Sequence, residues 1–205
     1  MILTFYIYLM RFFIHLSYCG TAYHGWQKQP NNVTVQEKVD FCLSKLIGKE
    51  VETLGCGRTD SGVHASDFYA HFDVEEQNFT EEDLTFRLNR FLPKDIAVKK
   101  VFKVNDDFHA RFSAVEREYQ YRLADNNQIV LPLERYNTAS WFRALDVDRL
   151  NEASSLLLGE HDFVAFCKFR EDQKTVRTLK KFHWSRLDSG ILIADVAANA
   201  FCYSM

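Results

Sequence analysis

The chain has 205 residues, 47% of them hydrophobic and 15% aromatic, with only 8 glycines and 3 prolines. That is apolar material for one large or two small cores, and it excludes a disordered or low-complexity protein. A net charge of −3 gives no global sign of a nucleic-acid binder, so a polyanionic partner has to be met by a local basic surface.

The first sixteen residues are apolar, but Arg11 and His15 interrupt them, no small-residue cleavage site follows, and the run is too short to span a bilayer. Residues 1–9 read as an extension ahead of a strand from Arg11 to Tyr18. Thr34-Val35-Gln36-Glu37 is a capping-box sequence opening a helix whose inward face carries Val35, Val39, Leu43, Leu46 and Ile47. A strand is expected at Glu50–Leu54, a glycine-bracketed loop at Gly55–Ala65, and then a strand in which Phe68, Ala70, Phe72 and Val74 alternate with polar residues. Thr80 starts a second helix, with Leu84, Leu88 and Phe91 inward, and Ile96–Val104 is a strand. The order β-α-β-β-α-β is the ferredoxin-like split unit.

The second half begins the same way, with a strand at Ser113–Leu123, a helix at Asp146–Leu158, and a hairpin of Thr175–Arg186 and Ile191–Ala198 turning at Asp188-Ser189-Gly190. The final helix and strand of a second such unit are not found, and the chain closes on an apolar run, Ala200 to Met205. The expectation is an α+β protein of two ferredoxin-like halves, residues 1–112 and 113–205, the second half incomplete at its C-terminus. Five scattered cysteines, none in a C-x-x-C pair, point to neither a disulfide framework nor a zinc site and fit a reducing cytoplasm.

Residues 55–65 carry the chemistry: Gly55-Cys56-Gly57-Arg58-Thr59-Asp60-Ser61-Gly62-Val63-His64-Ala65. Glycines around an Arg, an Asp and a His let the backbone bring a carboxylate close to a substrate. Arg58, two positions before Asp60, suits both keeping that carboxylate ionised and holding a phosphate. The commoner reading of such a pattern is an ordinary strand connection, with Asp60 in an Asx-turn and Arg58 solvated. Lys168, Arg170, Lys174, Arg177, Lys180 and Lys181 form a basic stretch that suits phosphates, or equally a solvated surface balanced by Glu171 and Asp172.

The loop closely resembles the G-A-G-R-T-D-A-G-V-H-A signature of the tRNA pseudouridine synthase A (TruA) family, with Cys56 and Ser61 where the family usually has alanine. Tyr18 to Gln27 is similar to that family's Y-D-G-T-x-Y-x-G-W-Q, departing at Cys19. Asp107 to Ala114 and Arg117-Glu118-Tyr119-Gln120-Tyr121 resemble its D-x-H-A-R-F-S-A and R-x-Y-x-Y. Leu158 to Phe163 and Asn199-Ala200-Phe201 fit later blocks, in order.

The resemblance implies an isomerase that converts uridine to pseudouridine in the anticodon stem-loop of tRNA, at positions 38 to 40, with no cofactor. It assigns Asp60 as the catalytic carboxylate and Tyr119 as the residue stacked on the target base, although Tyr121 is equally plausible by composition. Arg58 is the residue expected to hold the vacated position or the flipped phosphate. A homodimer bridged by tRNA, in the cytoplasm, is also implied. Two rivals stand beside this reading. One is a non-catalytic RNA-binding protein, favoured if the missing C-terminal segment removes a wall of the pocket. The other is a metal-dependent phosphoesterase using Asp60 and His64.

Overall fold

The computed structural model describes residues 9–75, 78–168 and 173–205. The chain divides into two units, one running to Ala114 and the other from Val115.

The first unit is built on β1 (Met10–Tyr18), whose alternating residues Phe12, Ile14, Leu16 and Tyr18 are buried on one face. Helix α1 (Val35–Ile47) begins at the expected capping box: Thr34 accepts the Glu37 amide while the Glu37 side chain reaches back to the Thr34 amide. Strands β2 (Leu54–Gly55) and β3 (Ala65–Val74) follow, then α2 (Glu81–Phe91) and β4 (Ile96–Val104). The sheet order is β2-β3-β1-β4, every pair antiparallel. This is the ferredoxin-like arrangement. Phe68, Ala70, Phe72 and Val74 of β3 join the β1 face against Val35, Val39, Leu43, Leu84 and Leu88 of the two helices.

Two expectations need correction here. Of the expected Glu50–Leu54 strand only Leu54 pairs, together with Gly55, as β2. Val51 and Thr53 are instead fastened to α1, through the Ser44 hydroxyl and the Asp40 carboxylate. Phe91 does not point inward but is 45% exposed, because α2 ends there and Leu92 takes the inward place.

The second unit holds β5 (Arg117–Ala124), β6 (Ala139–Ser140), α3 (Val147–Ser155), β7 (Gly159–Asp162), β8 (Val176–Arg186) and β9 (Leu192–Ala198). Its sheet runs β6-β5-β9-β8-β7, antiparallel except for the short parallel pair β5–β6. The run β5-β9-β8 repeats β1-β3-β2 of the first unit, so strand, helix and hairpin recur as expected. The hairpin turns through Gly190, at φ +87°, and its base is tied by the buried Asp125, which takes both Nη atoms of Arg186 at 2.7 and 3.0 Å. The two short strands β6 and β7 are additions that periodicity does not reveal, since neither exceeds four residues. The Ser113 start expected for β5 moves to Arg117, because residues 109–113 form a turn in which the His109 ring accepts the Arg111 and Phe112 amides.

Candidate active site

The loop between β2 and β3 is held by the segment that follows β1. The Trp26 amide donates to the Thr59 carbonyl at 3.2 Å, and the Tyr18 hydroxyl lies 2.9 Å from Thr59 Oγ1. Beyond Asp60, the Ser61 hydroxyl and the Gly62 amide both donate to the Tyr23 carbonyl, and the Val63 amide donates to the Asp60 carbonyl. Tyr23 is anchored in turn: its hydroxyl donates to Asp95 at 2.7 Å, and burial together with that bond raises its pKa.

The contact is close enough to require glycine on the facing segment. A Cβ on Gly20 would sit 2.0 Å from the Val63 carbonyl oxygen, and one on Gly25 would sit 2.4 Å from that of Thr59. On the loop itself, Gly55 leaves space for the indole of Trp26, which would meet an added Cβ at 2.6 Å. The two sequence blocks, 18–27 and 55–65, are thus one interlocked structure.

Asp60 and Arg58 are both exposed on this loop. Among the described residues neither side chain makes a hydrogen bond or ion pair, so the expected Arg58–Asp60 interaction is not formed in the free protein. An open groove lined by Tyr18, Cys19, His64 and Lys94 runs along the C-terminal side of the loop. The described residues form no cluster of three or more His, Cys, Asp or Glu side chains placed for a metal ion.

A second structure supports the 107–114 block. Arg11 binds Asp73 with two bonds of 2.8 Å and donates to the carbonyls of Asp106 and Phe108. The Ala110 amide donates to Nδ1 of the buried His71. Sequence reading did not connect Arg11, His71 and Asp73 with this block, because each is an ordinary strand residue until register sets it opposite residues 106–110.

In the second unit, Tyr119 lies on β5 opposite Val196 of β9. Its ring meets Phe201 edge-on at 4.9 Å, joining the R-x-Y-x-Y block to the Asn199-Ala200-Phe201 block. Tyr121, two residues on, is more exposed, at 52% against 38%. Of the basic stretch, Lys180 pairs with Glu116, and Lys181 with Glu118 and Asp195, which favours the solvated-surface reading for those two. Arg170, Glu171 and Asp172 lie outside the described residues. No described helix is long and apolar enough to cross a membrane.

A ferredoxin-like unit presenting a lone carboxylate on a clamped loop, followed by a second sheet unit, defines a class for which comparison gives a direct match. The family described as tRNA pseudouridine synthase matches residues 15–113 and 153–205. The tRNA pseudouridine synthase A of Corynebacterium glutamicum is 42% identical, over 96% of this chain and 72% of the relative. The protein of the same name from Bacteroides fragilis is 38% identical, over 96% of this chain and 77% of its own length. That of Frankia casuarinae is 41% identical, over 96% and 72%. The chain belongs to the tRNA pseudouridine synthase family.

Proposed function

We propose that this chain isomerises uridine to pseudouridine in the anticodon stem-loop of tRNA, at positions 38 to 40, with Asp60 as its catalytic carboxylate. The observation that carries the reading is the presentation of Asp60, exposed and without a side-chain partner, on a loop whose backbone is fixed on both flanks. The reaction exchanges a C1′–N1 for a C1′–C5 glycosidic bond, so nothing is oxidised and no group is added. An ionised carboxylate beside the detached base serves attack on base or sugar and proton abstraction alike.

Reaching a stem uridine means extruding it, at a cost of a few kcal/mol that contacts to the backbone offset. Arg58, solvent-facing and unpaired among the described residues, is the group for the flipped phosphate or the vacated position. Tyr119 is the base-stacking residue, a role supported by its place in the R-x-Y-x-Y block and its seating against Phe201. The enzyme works in the cytoplasm as a homodimer bridged by tRNA.

The test is tritium release from tRNA labelled at uridine C5, with chelator present. The wild-type chain should release tritium, and Asp60→Ala should lower the rate at least about 10³-fold while binding tRNA normally. A wild-type chain that binds tRNA without release would replace this reading with non-catalytic RNA binding. Phosphoester cleavage that requires an added divalent cation, with no tritium released, would favour the phosphoesterase.

A further inference from the structure

We infer that Tyr18 and Thr59 are positioning residues whose hydroxyl–hydroxyl contact sets the Asp60 carboxylate for reaction, an inference that rests on the synthase reading above. Because the Asp60 side chain has no partner among the described residues, its place is decided by its backbone alone. The two flanks of that backbone are not equally held. After Asp60, the Tyr23 carbonyl accepts both the Ser61 hydroxyl and the Gly62 amide. Before it, between Gly57 and Thr59, the described residues contribute one backbone bond, Trp26 N–H to Thr59 C=O, at 3.2 Å. Gly57, two residues before Thr59, would have nothing within 4 Å of an added Cβ, so that arm of the loop is open.

The second tether on the open arm is the 2.9 Å contact between Thr59 Oγ1 and the Tyr18 phenol. Tyr18 is well suited to anchor it. It is the last residue of β1, a central strand, is 4% exposed, and packs against Trp26 and edge-on against Phe68. A hydroxyl held this rigidly transmits the register of the sheet to the residue next to Asp60. Small displacements of a reacting group cost rate while leaving remote binding contacts intact.

Single-turnover tritium release and tRNA binding separate the two effects. Tyr18→Phe, which keeps the packed ring, and Thr59→Val, which keeps the shape, should each slow release about tenfold while tRNA affinity stays within about twofold. The double variant should be no slower than either single one, because both remove the same contact. Thr59→Ser, which restores the hydroxyl, should recover the rate. Hydrogen exchange gives a readout independent of activity: the Trp26, Gly62 and Val63 amides should exchange faster in Tyr18→Phe. Single variants with unchanged rates, multiplicative losses in the double variant, or unchanged exchange would each overturn the positioning role. If the wild-type chain releases no tritium, the synthase reading fails, and the exchange measurement alone decides whether the contact holds the loop.

Discussion

At Gly25 the backbone has φ +86°, and the Thr59 carbonyl occupies the place of a side chain. Gly48 has nearly the same φ, +83°, but an added Cβ there would meet nothing within 4 Å. The pair separates backbone strain from collision. Gly48→Ala should cost about 1 kcal/mol of stability and leave turnover alone, whereas Gly25→Ala should cost about 2 kcal/mol or more and displace the Asp60 loop. Denaturation midpoints and tritium release measure the two; equal effects would mean that the close approach to Thr59 is unimportant. Tyr119 is the other residue whose role can be divided. Tyr119→Leu should slow release about tenfold to a hundredfold by loss of base stacking, while Tyr119→Phe keeps the stack and tests the hydroxyl. Full activity in Tyr119→Leu would remove it from the site.

At the scale of elements, the approach to β2 at Thr53 and the segment after β4 at Ala110 are both fastened by buried ionisable groups, Asp40 and His71. Asp40 of α1 accepts the Thr53 amide and hydroxyl at 2.9 and 2.7 Å, leaving Oδ2 without a partner among the described residues. Burial raises its pKa from 3.8 to about 6, against the lowering effect of the Thr53 bonds. The folded value exceeds the unfolded one, so this group's contribution of about 2 to 3 kcal/mol is full below pH 4 and lost as the pH rises through 6. His71 works the other way. Burial, assisted by Arg11 and His109, depresses its pKa from 6.5 to about 4, so its contribution is full above 6.5 and lost as the pH falls to 4. The two slopes oppose each other between pH 4 and 6. In Asp40→Asn only the His71 slope remains, and urea midpoints should fall more steeply with acidification than in the wild type. Identical slopes in the two proteins would show that Asp40 is not titrating in this window.

For the whole molecule, the proposed homodimer predicts a mass by light scattering of twice 24.0 kDa. A monomer would overturn it. Much of the architecture was legible before any coordinates, because its signals are local. The Thr34–Glu37 capping box needs only residues three apart, and the period-2 run of Phe68, Ala70, Phe72 and Val74 needs only one strand. The limits at Ile96 and Val104 matched for the same reason. Where a local pattern competed with a neighbour's side chain it misled: Val51 and Thr53 look like strand, yet bond to α1.

The sequence by itself determined the family, the β-α-β-β-α-β order of the first unit and the identity of the loop bearing Asp60, since these rest on residue types at fixed short spacings. Only the tertiary structure decided what holds that loop. Tyr18 and Thr59 are 41 positions apart, and His71 and Ala110 are 39 apart. Which residues meet across such distances depends on the register of β1 against β3 and on close approach at Gly20 and Gly25. Register is set by the packing of the whole sheet face, and a one-residue slip would turn the strand residues Tyr18 and His71 to the other side.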